Sequence, residues 1–162
     1  TGPRPSTAHV GYLLRAAPDW DYVAALREAW DGHLILKGVM EADVAARAEG
    51  FGVDAIWVSN HAGRQFDGAP ASLDALRMVR GATTLPLIFD SGIEGGLDIL
   101  RALALGAHFV MMGRPWHYAL GALGRAGPAH LHDMLAKDMV SNMAQMGVTR
   151  FAELPDRLAT PG

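Results

Sequence analysis

The chain alternates short apolar runs with longer stretches of helical periodicity. Four runs are almost continuously apolar and end in glycine or polar residues, at positions 34–39, 55–60, 86–92 and 109–114. Continuous rather than alternating apolar strands are typical of parallel sheets, because helices cover them. The pattern therefore predicts an α/β fold with four parallel strands and outer helices.

The segments between these runs carry apolar residues every three or four positions, the spacing of one helix face. This predicts helices over residues 18–30, 41–49, 73–80, 95–105 and 130–146. The apolar face of the first consists of Trp20, Val23, Leu26 and Trp30. The stripe on the last consists of Leu131, Met134, Leu135, Met139, Met143 and Met146. We interpret this stripe as core packing, because methionine fills irregular gaps.

The segment Ser59-Asn60-His61-Ala62-Gly63-Arg64 follows the second apolar run. It places a base and a cation three residues apart at the mouth of a predicted strand. A histidine can accept a proton, and the planar arginine fork can hold a carboxylate. The pair suits oxidation of a small acid at the carbon beside its carboxylate. The alternative is a histidine that caps the following turn and an arginine that is merely solvated.

Further motifs occur in an order shared with one enzyme family. They are Lys37-Gly38-Val39, the segment 59–67, Asp90-Ser91-Gly92-Ile93, the segment 102–107 and Gly113-Arg114-Pro115. From about Trp20 onwards the chain resembles the second half of the FMN-dependent 2-hydroxy acid oxidases and dehydrogenases, which include glycolate oxidase, lactate oxidase, mandelate dehydrogenase and flavocytochrome b2. The Gly-Arg end is shared with other FMN barrels such as isomerases, whereas Ser-Asn-His-x-Gly-Arg is more selective.

The resemblance implies the C-terminal half of a TIM (β/α)₈ barrel over residues 17–162, after a mobile loop segment at 1–16 that is rich in Pro, Gly, Ser and Thr. A complete barrel takes roughly 250 residues, whereas this chain has 162. Four strands leave the outer edges of the first and last strand open, so we expect the N-terminal half of the same barrel to cover them. A truncated gene product and a half that pairs with another copy are the alternatives.

The resemblance also implies a role for each candidate site residue. His61 is expected to accept a proton from the substrate while it lies against the cofactor, and Arg64 is expected to hold the substrate carboxylate. Lys37 is expected at the flavin edge where negative charge accumulates on reduction, with Ser59 adding a hydrogen bond there. The expected ligands of the FMN ribityl and phosphate are Asp90, Ser91, Gly92, Gly113 and Arg114. No metal site is predicted.

A complete barrel of this kind would oxidise a small L-2-hydroxy acid, such as lactate, mandelate or glycolate, to the 2-oxo acid. FMN would pass the electrons to oxygen, a quinone or a haem protein. We expect the chain alone to be inactive, because the family draws its active-site tyrosines and the aspartate that orients the histidine from the other half. The alternative is a non-catalytic scaffold or a decayed remnant with weakened FMN binding.

Glu94 is the reason for that alternative. The family carries at this position an arginine that faces the phosphate, and a carboxylate nearby would repel the phosphate by on the order of 1 kcal/mol. A helix N-terminal acid that points to solvent is an equally consistent interpretation of Glu94.

Composition narrows the choice of function only slightly. Half of the residues are hydrophobic and the net charge is −3, so the chain has a core to bury and no electrostatic footprint for nucleic acid. It contains no cysteine, which excludes disulfides, thiolate metal sites and cysteine nucleophiles within it. No apolar run approaches the ~20 residues of a membrane span. A cytoplasmic homo-oligomer is the expectation, and a membrane-attached complex is the alternative.

Overall fold

The computed structural model describes residues 18–159, so the loop predicted at residues 1–16 lies outside the described part of the chain. Helices and strands alternate as α1 Trp20–Ala29, β1 Ile35–Val39, α2 Ala42–Gly50, β2 Ala55–Val58, α3 Ser72–Arg80, β3 Leu87–Phe89, α4 Gly96–Ala104, β4 Phe109–Val110, α5 Arg114–Leu123 and α6 Gly127–Met146. Short 3₁₀ helices cover His61–Gly63, Gly124–Ala126 and Phe151–Arg157. The four strands are parallel and ordered β1-β2-β3-β4, which confirms the α/β prediction.

The two faces of this sheet have different surroundings. One row of paired residues, Leu36, Ile56 and Leu87, belongs to the face that packs against the helices, and Ile56 and Leu87 are fully buried. The neighbouring row on the opposite face consists of Lys37, Trp57, Ile88 and Phe109. Phe109 is 59% exposed, so the described residues leave this second face open. Within residues 18–159, the outer strands β1 and β4 each pair with one neighbouring strand.

The methionine stripe of α6 is largely a packing surface, as predicted. Leu100, Val148 and Leu154 form a small second core beside the main one, and Met139, Met143 and Met146 pack against it. Met134 departs from the prediction because it is 55% exposed.

The structure corrects the prediction after residue 108. The strand predicted at 109–114 contains only Phe109–Val110, and Arg114 begins α5, a helix that the sequence analysis did not name. Pro115 lies in the first turn of α5, where its missing N–H removes no helical hydrogen bond. Helix α6 begins at Gly127, three residues before the predicted start. No helix among residues 18–159 is both long and apolar enough to cross a membrane.

Carboxylates fix the loops at the amino ends of the strands. Glu49 accepts hydrogen bonds from the Thr83 hydroxyl and the Thr84 amide, both at 2.6 Å. Asp54 accepts from the Leu34 amide at 2.7 Å and from Arg27 at 3.1 Å. The Thr83 hydroxyl is the main cause of a lowered pKa at Glu49, and the Leu34 amide is the main cause of a lowered pKa at Asp54. These contacts hold the starts of β1 and β3 in place.

Candidate functional site

A cleft of about 500 Å³ opens at the carboxyl ends of the four strands. This size lies within the usual range for small-molecule sites. All of the predicted site residues except Ser59 line it: Lys37, His61, Arg64, Asp90, Ser91, Gly92, Gly113 and Arg114. The structure therefore brings together in one cleft residues that are up to 77 positions apart (114 − 37).

The ammonium group of Lys37 is held inside the cleft by three neighbours. Its Nζ donates to Ser59 Oγ at 3.0 Å and lies 3.5 Å from Asp90 Oδ2. It also stands over the ring of Trp57, 4.8 Å from the centroid, a favourable cation–π distance. Lys37 thus presents a fixed positive charge at the cleft wall, rather than extending freely into solvent.

Asp90 connects this cation to the neighbouring loop. Its Oδ2 accepts from the Trp57 indole N–H at 3.1 Å, and its Oδ1 accepts from the Ser91 hydroxyl at 2.7 Å. The sequence analysis did not identify Trp57 as a site residue. The available signal was its position in the apolar run, where a polar N–H on the face shared with Lys37 requires a partner.

The residues after β2 form a left-handed turn. His61, Ala62 and Gly63 have φ values of 54°, 56° and 73°, and only glycine adopts this region without strain. The Ser59 hydroxyl accepts from the His61 amide at 3.1 Å. Ser59 is 1% exposed and does not line the cleft, so its visible contacts position Lys37 and His61. Its hydrogen bond to a flavin stays a prediction.

The imidazole of His61 lies close to β1. A side chain at Gly38 would place its Cβ 3.4 Å from His61 Cε1, and Gly38 itself has a φ of +91°. Glycine is therefore favoured here by the backbone conformation, and the histidine ring lies at van der Waals distance from the position a side chain would take. None of the carboxylates in residues 18–159 forms a hydrogen bond or ion pair with this ring.

Arg64 and Arg114 both line the cleft. Neither forms an ion pair with a carboxylate within the described part of the chain. Two arginines without internal counter-ions make this cleft suitable for a ligand that carries more than one anionic group.

The backbone beside Arg114 leaves space for such a group. A Cβ built on Gly92 or on Gly113 would meet no atom within 4 Å, and the N-terminus of α5 has no side-chain cap. At the start of α5, Pro115 has no N–H and the amides of Trp116 and His117 donate to the Gly113 carbonyl, so the Arg114 amide is the helix-start donor that can face a phosphate. The lysine, the arginine and this cradle are the parts that an FMN site requires, so the residues present fit that cofactor.

The backbone amides at the start of α4 already have hydrogen-bond acceptors within the chain. The amides of Glu94 and Gly95 donate to Asp98, each at 3.2 Å, and the Gly96 amide donates to Asp138 at 2.6 Å. The Glu94 side chain is exposed and borders a separate groove between α5 and α6, which Arg114 also reaches. Glu94 is not among the residues that line the main cleft.

Parallel strands that pack helices against one face and form a cleft at their carboxyl ends are typical of part of a barrel-type α/β fold. The chain belongs to the FMN-dependent dehydrogenase family, whose model matches residues 2–160. It is 42% identical over 156 residues to L-lactate dehydrogenase of Chromohalobacter salexigens, covering 94% of this chain and 40% of that protein. It is 44% identical over 137 residues to L-lactate dehydrogenase of Stenotrophomonas maltophilia, covering 83% and 36%.

Solved structures agree with this membership. A soluble mutant of the membrane-associated (S)-mandelate dehydrogenase from Pseudomonas putida superimposes with a TM-score of 0.85 at 36% identity, covering 90% of this chain and 42% of the other. The monotopic membrane protein (S)-mandelate dehydrogenase gives a TM-score of 0.88 at 33% identity, covering 99% and 45%. The chain thus spans less than half the length of these relatives and corresponds to part of a TIM-barrel FMN dehydrogenase.

Proposed function

We propose that this chain contributes the proton acceptor, the carboxylate clamp and much of the FMN site to an enzyme that oxidises small L-2-hydroxy acids to 2-oxo acids. The observation that carries the proposal is the convergence of Lys37, His61, Arg64 and Arg114 on one cleft at the carboxyl ends of the strands. The L-lactate and mandelate dehydrogenases among its relatives support this substrate class. The remaining part of a barrel would complete the site.

The oxidation removes two electrons and two protons from the carbon and hydroxyl of the substrate. Bound FMN would supply the acceptor for both electrons and for one of the two protons. Neutral His61 accepts one proton from the substrate, and Arg64 binds the carboxylate through two parallel hydrogen bonds, which fixes the reacting carbon. Both residues lie on the single turn after β2, so their spacing is set by the backbone.

The other cleft residues bind and polarise the cofactor in this proposal. Lys37 supplies a fixed positive charge where negative charge develops on reduction. Arg114 and the amides near Gly92 and Gly113 bind the phosphate, with Asp90 on the ribityl side. Glu94 does not line the cleft, although it shares the adjoining groove with Arg114.

The test replaces His61 by Gln in the intact gene product loaded with FMN. We expect anaerobic flavin reduction by L-lactate or (S)-mandelate to slow by about 10²–10⁴-fold, the usual contribution of a general base, while FMN stays bound. His33→Gln is the matched control, because His33 is an exposed residue before β1, at the amino end of that strand and outside the cleft. Equal rates in wild type and H61Q would contradict the enzyme function and favour a non-catalytic scaffold.

A further inference from the structure

The backbone of Ser91 adopts a conformation that is energetically unfavourable for a residue with a side chain. Its φ is +80°, a region that glycine occupies freely and other residues occupy only when their surroundings compensate the strain. The next residue is Gly92, with a φ of +83°. The hydroxyl, which glycine lacks, therefore has to be examined for contacts that offset this strain.

The hydroxyl of Ser91 joins two strand ends. It donates to Asp90 Oδ1 at 2.7 Å and accepts from the amide of Ala62 at 3.1 Å. Ala62 follows His61 directly, and both have left-handed backbone that is unfavourable for residues with a side chain. The His61 turn therefore depends on hydrogen bonds from outside its own backbone.

The backbone of Ser91 is held by a further hydrogen bond. Its carbonyl accepts from the hydroxyl of Ser72 at 3.1 Å, and Ser72 is only 4% exposed at the start of α3. The Ala62 amide has a second acceptor in Asn60 Oδ1 at 2.9 Å. Asn60 belongs to the same turn, whereas Ser91 ties the turn to the neighbouring strand and to the carboxylate that contacts Lys37.

We propose that Ser91 is a positioning residue that couples the Asp90–Lys37 pair to the turn carrying His61. The interpretation rests on the proposed function for its catalytic consequence only, because the coupling itself is a property of the chain. It changes the role of Ser91 from a ligand of the FMN ribityl to a support of the His61 backbone. Its hydroxyl holds the imidazole at a constant place relative to the cation on β1.

The decisive variant is Ser91→Gly, which removes the hydroxyl and also relieves the backbone strain. In the intact protein with FMN bound, we expect the unfolding midpoint to stay the same or rise. We expect kcat for L-lactate oxidation to fall by about tenfold with KM within about twofold, the scale of one lost hydrogen bond. Amide hydrogen exchange in a peptide spanning residues 59–66 should accelerate by about tenfold without substrate.

Ser91→Ala is the matched variant, because it loses the hydroxyl but keeps the strained backbone. It should show the same fall in kcat and the same faster exchange, together with a lower unfolding midpoint. Unchanged exchange in both variants would overturn the proposal, and loss of FMN with unchanged exchange would return Ser91 to the role of cofactor ligand. If the wild type oxidises no 2-hydroxy acid, the proposed function fails while the exchange measurement still decides the coupling.

Discussion

The amino and carboxyl ends of the strands differ in how their loops are built. At the amino ends, left-handed backbone occurs at glycines, namely Gly52 before β2 and Gly106 before β4. At the carboxyl ends it also occurs at His61, Ala62 and Ser91, which are all the non-glycine residues with positive φ in the described chain. The loops at the amino ends follow the usual preference for glycine at positive φ, whereas the loops at the carboxyl ends also place other residues there.

The comparison indicates where stability and chemistry are separated in this fold. At the amino ends, carboxylates accept backbone and hydroxyl hydrogen bonds that fix the loops. At the carboxyl ends, Asp90 and Ser59 receive hydrogen bonds from side chains that point into the cleft. Strained residues that cluster around a cleft are a reason to infer function there, and residues at the opposite end are expected to affect stability alone.

Replacement of Arg64 by Ala should have the largest effect on catalysis among changes at the carboxyl ends of the strands. Loss of two charge-assisted hydrogen bonds to a substrate carboxylate is expected to lower kcat/KM for L-lactate by about 10³-fold. The free energy of unfolding should change by less than about 0.5 kcal/mol, because Arg64 is exposed and has no ion pair within residues 18–159. Steady-state kinetics and chemical denaturation of the intact protein measure both.

Arg77→Ala is the control for this variant. Arg77 is an exposed arginine on α3, outside the residues that line the cleft. A fall of less than about tenfold in kcat/KM for R64A, or an equal fall for R77A, would remove Arg64 from the substrate site.

Leu87→Ala, at the amino ends of the strands, should lower stability and leave FMN binding intact in the folded protein. Leu87 begins β3 and is fully buried, so truncation leaves a cavity and is expected to cost about 2–5 kcal/mol of unfolding free energy. The folded fraction should retain FMN, since Leu87 lies two residues before the end of β3 and faces the helices. Met78→Ala is the comparison, because Met78 is 52% exposed. A loss for L87A no larger than that for M78A would show that this strand start is not part of the core.

The sequence predicted most of the scaffold because its signal is local. Apolar runs and helical spacing identified the four parallel strands and five helices, although the limits shifted by a few residues. The run after Ala107 misled the prediction, because the apolar residues beyond Val110 belong to a loop that leads into α5 rather than to a longer strand. Because proline and glycine surround this segment, helix α5 was not predicted. Its packing against α6 is a tertiary interaction that the local sequence pattern does not show.

The internal contacts of the site were less accessible to sequence reasoning. Motifs identified His61 and Arg64, but the pairing of Trp57 with Asp90 depends on which strands are neighbours and on their register. The hydroxyl bridge from Ser91 to Ala62 depends on two unusual φ values that residue types alone do not predict. Such contacts between loops arise only after the sheet has assembled.

Acidification should lower the stability contributed by the loops at the amino ends of the strands. This is the smallest of the expected effects. Hydrogen bonds lower the pKa of Glu49 and Asp54 below the ordinary values of 4.5 and 3.8. As the pH falls, the unfolded chain therefore binds these protons first, so the stability that both groups contribute is present above their ordinary values and is lost as the pH falls through their folded values. The unfolding midpoint should decrease over this range.

Glu49→Gln isolates one of these contributions, because the amide keeps an acceptor for Thr83 and Thr84 but cannot titrate. Its unfolding midpoint should be lower than that of the wild type at neutral pH, and the difference should shrink as the pH falls below 4.5 and the native carboxyl becomes protonated. Glu28→Gln is the control, since Glu28 is exposed on α1. A constant difference between E49Q and wild type across this range would mean that the hydrogen bonds from Thr83 and Thr84 do not depend on the charge of Glu49, and that the loop before β3 is fixed by packing.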